Sequence, residues 1–570
     1  MKRMTPFLLL AFVLLLVAIP AFPAAPAAAT DCGFVRDPAA AKLGFEAYRK
    51  TVSAAVRRSG DKALAARLDG LVAGRPVPAA DSGIAGCLLR GYTVARYGDR
   101  MVADLQHLVG FRTEAQEGKE NWALPEFARQ REWLAGQSKD FGFQFKSYDG
   151  RVDEITMPGA AATLAVLTHG DVQGVENQRW SSPPWDGKIV DGKIIGRGTE
   201  DDKGPIVATF YSMVALRDTG WPLSSTLRLL IANGEESSWD EIPYYLARAP
   251  MPDMTIGIDA AYPVTHAQKG YGVLAFHGKG TAAPKPAAWR VVRLEGGSGM
   301  SIIAEEGTAI LEPGGDPGDP DKAQAELSRL AAAWSAAHPP ARLTVSREGG
   351  QLKVVAAGKG GHSSAPESGH NALGDLTAFL ATLDLRQDAW GSVAGFIGST
   401  LGTSTDGKGL GIAHHDDVMG DLTTNLSFLR DDKGTPVAEI NIRAPRGITK
   451  DDIARALTSA ASAYTQRTGG TVQADLVNLG DFHLSPIDGK LVATLLSVWQ
   501  EVTGTPGRPV AIGGGTQARL FKDGVDFGPA LDMVHYRGHG TDEYLTVDEL
   551  HRIAELTVTA LWRLAGRATS

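Results

Sequence analysis

The stretch TLRLLIANGEE, Thr226 to Glu236, places an apolar, partly β-branched run directly before two adjacent acids. Such a run reads as a buried strand. Two carboxylates at its end are costly there unless cations or solvent compensate them. One can bind a metal while its neighbour takes a proton from water, and we read Glu236 as the ligand and Glu235 as the general base. Working outward, Thr163 to Thr168 and Met254 to Ile258 are two further apolar runs, and helical patterns occupy Gly204 to Leu216 and Ile242 to Arg248. This alternation predicts an α/β layer with a largely parallel sheet, whose sites gather at the carboxyl ends of the strands.

The other candidate ligands mostly obey that rule. His169 follows the first run and Asp259 the third, while Asp201 precedes the helix near Gly204, where a carboxylate meets the positive end of the helix dipole. With Glu236 and His539 they form a set of imidazole and oxygen donors suited to two divalent ions sharing one bridging carboxylate. Zn2+ fits mixed donors of this kind, and Mn2+ or Co2+ can occupy the same atoms. In LTHGD, Leu167 to Asp171, residues two apart on an extended segment face the same way, so Asp171 is expected to hold the His169 ring by its far nitrogen. In GRGTEDDKG, Gly196 to Gly204, Asp202 is expected to cap the helix and Asp201 to face inward.

At 570 residues the chain is too long for one ordinary core. Residues 1–30 read as an export signal, with Lys2 and Arg3, the apolar run Phe7 to Phe22, and small residues through Ala29. A retained anchor is the competing reading. Pro20 and Pro23 favour cleavage, so a periplasmic or extracellular protein without a stable membrane anchor is expected. Residues 31–100 form a helical extension, and 101–269 hold the first part of the α/β layer. Residues 270–482 form an inserted α+β unit, with strands at Lys353 to Ala357, Thr424 to Leu429 and Glu439 to Arg443. Residues 483–570, helical at Leu491 to Val502 and Val547 to Leu564, rejoin the first layer and bring His539 to the other ligands. Cys32 and Cys87 are the only cysteines, and whether they pair is left open. A net charge of -8 without a basic stripe argues against a nucleic-acid partner. A homodimer is compatible with the sequence.

Several motifs in order resemble one family. They are His169 to Val172, Gly196 to Gly204, Glu235-Glu236, Asp259 with Tyr262-Pro263 and Lys269-Gly270, Gly360 to Glu367, Asn441 to Arg443, Gly513 to Arg519, and His539 to Glu543. Together they resemble the M20-type zinc metallopeptidases, and within them the PepV- and carnosinase-like dipeptidases. The resemblance implies a zinc-exopeptidase-like α/β catalytic layer with an inserted α+β lid domain. It implies hydrolysis of dipeptides or other short peptides with a free C-terminal carboxylate. It makes Asp201 the bridge, with Glu236 and His539 at one ion and His169 and Asp259 at the other, and Asp171 as orienter. A cis peptide after Asp201 is implied as well. His362 takes the place of the oxyanion donor, Arg443 can clamp the terminal carboxylate, and Gly514, Gly515 and Thr516 would supply substrate contacts. One departure is Gln268, where relatives carry an acid before Lys-Gly. An N-acyl-amino-acid deacylase, or a non-catalytic binding protein of the same fold, are the alternatives. Outside these motifs, His414 and His415, and singly His107, His266, His277, His338, His370, His483, His535 and His551, read as surface histidines.

Overall fold

The computed structural model describes residues 42–176, 178–281, 284–314, 320–531 and 536–569. The expected signal segment, Cys32 and His535 lie outside them. Three helices come first, α1 (Phe45–Arg58), α2 (Lys62–Gly70) and the long α3 (Ser82–Val109). Asp61 caps α2 by accepting the Leu64 amide at 2.8 Å, the bond expected of an N-cap aspartate. Along α3 the buried Leu88, Leu89, Tyr92, Met101, Leu105 and Leu108 recur at helical spacing. Cys87, on the same helix, is disulfide-bonded.

Helix α4 (Pro125–Asp140) leads to the hairpin of β1 (Gln144–Tyr148) and β2 (Val152–His169). Then follow α5 (Gly204–Thr219), β3 (Ser225–Ala232), α6 (Glu241–Leu246), β4 (Met254–Gly257) and β5 (Val264–Gln268). Strand β2 is longer than the expected run at Thr163 to Thr168. Its middle, Pro158 to Ala162, is exposed and small, so no apolar pattern announces it.

The chain next builds a second sheet from β6 (Gly270–Gly278), β7 (Trp289–Gly296), β8 (Glu306–Pro313), β9 (Arg342–Glu348), β10 (Gln351–Ala357), β11 (Thr423–Asp432), β12 (Thr435–Ala444) and β13 (Val472–Leu479). Its order is β9-β10-β8-β7-β11-β12-β6-β13, every pairing antiparallel. Helices α7 (Pro320–Ala337), α8 (Ala372–Leu380), α9 (Ala389–Thr400) and α10 (Lys450–Thr468) accompany it, with Leu327, Leu376, Phe396 and Leu457 among the residues of one shared core. The tail adds β14 (His483–Leu484), α11 (Lys490–Thr503), β15 (Pro509–Ile512), β16 (Val525–Asp526) and α12 (Val547–Ala565).

Tail strands enter the first sheet, whose order is β1-β2-β4-β16-β5-β14, with β3 on β2 and β15 on β5. At its centre β3, β2, β4 and β16 run parallel. Parallel strands are buried on both faces and read as near-continuous apolar runs. Leu164, Val166, Leu227, Leu229 and Ile231 point into the core shared with α3, α5 and α12. Ala165, Leu167, Leu230 and Ala232 alternate with them and meet Tyr245 of α6 on the opposite face. Helix α5 is buried nearly all round, which explains its lack of a polar stripe. The register sets His169 opposite Ala232 and Leu167 opposite Gly257, so the carboxyl ends of three strands finish level.

The helical extension is thus a packing layer over α5 and α12. Replacing Leu105, fully buried on α3, with Ala is expected to cost about 2–5 kcal/mol. The check is a lower urea midpoint for the full chain, and an unchanged midpoint would contradict the packing described.

Candidate metal centre

Level strand ends put His169, the Glu235-Glu236 turn and Asp259 at one edge. Asp201 arrives from the turn before α5 and His539 from the loop before α12. Asp201 stands between two imidazoles: Oδ1 lies 2.8 Å from His169 Nε2, and Oδ2 lies 3.0 Å from His539 Nε2. The same His539 nitrogen is 3.0 Å from Glu236 Oε1, and Asp259 Oδ1 is 3.7 Å from His169 Nε2. His169, Asp201 and Glu236 each offer a ligand atom within 4.8 Å of the others, and so do His169, Glu235 and Asp259. Glu235 therefore also stands within reach of a cation.

The donor set fits divalent ions. His169 Nδ1 is 3.0 Å from the main-chain carbonyl of Asp171, which can only accept, so this nitrogen carries the hydrogen. Nε2 then faces the oxygens of Asp201 and Asp259, which either a second ring proton or a cation can balance; burial opposes the charged ring, but Asp171, Asp201 and Asp259 hold it well above its ordinary range. Asp171 thus holds the ring by its far nitrogen, chiefly through its carbonyl rather than its carboxylate. Its carboxylate is 3.6 Å from Nδ1 and also accepts the amides of Glu235 at 3.2 Å and Glu236 at 3.0 Å.

Without cations the cluster holds protons. Burial and the nearby Asp259 drive the Glu235 carboxyl well above its ordinary range. Burial also lifts Asp259, to about 6, against the pull of His169. At His539 burial opposes the charged ring, but Glu236 and Asp201 outweigh it and bring the group to about 10. The peptide between Asp201 and Asp202 is cis, as the resemblance implies.

The second sheet and the loop after it reach the same place. The ring of His362 lies 4.8 Å from that of His539. The Ser364 amide donates to His362 Nδ1 at 3.0 Å, which leaves the hydrogen on Nε2. Burial holds this imidazole well below its ordinary range, so it stays neutral. Arg443 is buried on β12, donates to Asn441 Oδ1 at 2.9 Å and lies 4.9 Å from the Tyr271 ring centre. Among the described residues no carboxylate forms an ion pair with it. Gly513 supports the lid segment, since a Cβ there would come within 2.3 Å of the Ser364 carbonyl. Gly515 borders Arg519, and Gly514 lies against the Ser364 hydroxyl.

The Thr516 hydroxyl is buried, accepting from Gln268 Nε2 and donating to Asp526 Oδ2, both at 2.9 Å, and Thr516 lines a small cavity with His169, Glu235 and Asp259. Two other expectations are corrected. Asp202 does not cap α5. Its carboxylate accepts the His169 amide at 3.1 Å, because the kinked turn points it back at β2. His266, expected at the surface, is buried on β5 beside the Ser485 carbonyl.

Three residues escaped the sequence reading. Tyr536 donates its hydroxyl to Asp201 Oδ2. Asp526, lifted to about 8 by burial and Asp259, lines a small cavity with His169, Glu235 and Asp259 and accepts from Gln268 Nε2 at 2.9 Å. Glu543 underlies the Asp201 turn. For Glu543 a signal existed in its motif, whereas Tyr536 and Asp526 sit in runs with no chemical pattern.

A parallel α/β sheet with a histidine and carboxylate cluster at its carboxyl edge, joined to a second antiparallel sheet, defines a metallopeptidase of the zinc-exopeptidase fold with a lid. Residues 165–563 match the sequence profile of peptidase family M20/M25/M40, and the chain belongs to that family. The Beta-Ala-Xaa dipeptidase of Lactobacillus delbrueckii subsp. lactis is 28% identical over 480 residues, covering 82% of this chain and 96% of that protein. Human carnosine dipeptidase 1 shares the fold with a TM-score of 0.51 at 14% identity, over 84% of this chain and 98% of that one. The dipeptidase Dug1p of Saccharomyces cerevisiae does so with a TM-score of 0.51 at 13% identity, over 83% and 97%.

Metal ligation requires a neutral imidazole and ionised carboxylates. Loading the metal-free protein at pH 7 is therefore expected to release about one proton or more per chain, and affinity should rise with pH. Calorimetric titration in buffers of different ionisation enthalpy checks this. Heats independent of the buffer would contradict it.

Proposed function

We propose that this enzyme hydrolyses dipeptides and other short peptides with a free C-terminal carboxylate, using two divalent ions held by His169, Asp201, Glu236, Asp259 and His539. The observation that carries the reading is Asp201, whose two oxygens face one imidazole each. Zn2+ is the first choice for these donors, with Mn2+ or Co2+ as alternatives. Ions held there would polarise the scissile carbonyl and make water acidic enough to attack at neutral pH.

The chain's own groups do the rest. Glu235 takes the proton from the attacking water and delivers it to the leaving amine. His362, neutral and with its hydrogen on Nε2, donates to the developing oxyanion. Arg443 holds the terminal carboxylate with its planar fork, and its lack of an acidic partner among the described residues supports that role. Backbone groups of Gly514 and Gly515 complete the peptide cradle. The lid segment at Ser364 lies against Gly513, and a lid closed over the site favours short substrates. The similarity to a Beta-Ala-Xaa dipeptidase supports the same substrate class. His362 comes from the same chain, so a homodimer is not needed to complete the site.

Export is part of the proposal. The pattern of residues 1–30 supports it, as does the disulfide at Cys87, since such bonds persist in oxidising compartments. No helix among the described residues is long and apolar enough to cross a membrane.

Glu235→Gln should lower turnover of a dipeptide by about 10²- to 10⁴-fold while metal content per chain stays at the wild-type value. Retained turnover would reject the base assignment. Arg443→Met should raise KM for a dipeptide and remove the preference for it over its C-terminal amide. Wild-type protein that cleaves only N-acyl amino acids in a mixed panel would reject the dipeptidase reading.

A further inference from the structure

Three of the ligand-bearing segments rest on a buried carboxylate that is not itself a candidate ligand. Asp171 accepts the amide of Glu236 at 3.0 Å, Asp202 that of His169 at 3.1 Å, and Glu543 that of Asp201 at 3.1 Å. Glu543 stands apart because it joins two segments that are more than three hundred positions apart in the chain.

Glu543 is fully buried. Its Oε1 accepts the amides of Glu200 at 2.9 Å and Asp201 at 3.1 Å, and its Oε2 accepts Arg197 Nη1 at 2.7 Å and the Gly198 amide at 3.1 Å. Four donors fill the acceptor capacity of a carboxylate. Arg197, also fully buried, turns its other arm to the His539 carbonyl at 3.1 Å and to Gln178 Oε1 at 2.9 Å. Gln178 in turn donates to the same His539 carbonyl at 2.8 Å. Contacts also run the other way, with the Gly196 amide on the Glu543 carbonyl at 2.9 Å and the Arg537 amide on Glu200 Oε2 at 2.6 Å.

A buried ion pair is a poor way to gain stability, because desolvating both charges offsets most of their attraction. An apolar pair of the same volume would pack these segments as well. What it would not do is fix the direction of the Asp201 amide and the His539 carbonyl, and those directions set how the two side chains face each other. We propose that the Arg197–Glu543 pair is the positioning device of the metal centre, holding the Asp201 turn and the His539 loop at the separation that two ions require. This rests on the metal reading of the cluster, not on the dipeptide reading of its substrate.

The test is chelator competition on the zinc-loaded full chain, with Glu543→Gln compared with wild type. The substitution keeps the shape but removes the charge and turns an acceptor into a donor against backbone amides. Zinc affinity should fall about 10- to 100-fold, while far-UV circular dichroism stays unchanged and excess zinc restores turnover with KM unaltered. A folded variant with affinity within about twofold of wild type overturns the proposal, since outer partners of metal ligands otherwise cost tenfold or more. So does a variant that only melts at lower temperature when metal-free and binds zinc normally once folded. If Glu543→Gln does not fold, Arg197→Lys decides by the same measure, because lysine keeps the charge yet lacks the fork that reaches both Glu543 and His539. Wild-type protein that binds zinc but cleaves no dipeptide would defeat the proposed function and leave this inference standing.

Discussion

The structure depends on one electrostatic constraint: several carboxylates and two imidazoles are packed out of water around Asp201, with too little positive charge among them. Like charges in a poorly solvated site repel strongly unless protons or cations intervene. The upward shifts of Asp259 and His539 in the metal-free chain follow from it. Divalent ions answer the same need and add chemistry. The rest of the fold can be understood as the machinery that brings these groups together and keeps water and peptide where they can react.

That machinery has two parts. Parallel pairing of β2, β3 and β4 ends three strands at one level, which delivers His169, Glu235, Glu236 and Asp259 without any special device. Asp201 and His539 lack that support because they sit in loops. Their placement relies on buried polar contacts, on the Thr546–Glu549 capping box that starts α12, and on Lys203, whose buried amino group donates to the Leu108 and Phe111 carbonyls at the end of α3. The helical extension thereby braces the turn that carries Asp201. The second sheet supplies what the first lacks, a neutral imidazole at His362 and, at Arg443, an arginine that has no acidic partner among the described residues.

Much of this was legible in the sequence because periodicity and burial act locally. The runs at Thr226 and Met254 and the helices at Gly204, Leu491 and Val547 announce themselves by apolar spacing. The candidate ligands follow from acids and histidines at strand ends. The sequence does not disclose contacts made across the fold. Asp171 holds the His169 ring through its carbonyl, while its carboxylate, expected at the ring, also seats the Glu235-Glu236 turn. Asp202 was expected to cap a helix and instead holds the His169 amide. In each case a polar side chain chose a partner remote in sequence, which no local pattern encodes. Tyr536 and Asp526 were missed for the same reason.

The most direct test of the central claim is an anomalous difference map from crystals of the zinc-loaded protein. Two peaks about 3.5–4 Å apart, one on each side of the Asp201 carboxylate and each also within bonding distance of one of the two imidazoles, are the expected result. A single peak, or two peaks that do not share Asp201, would contradict the account.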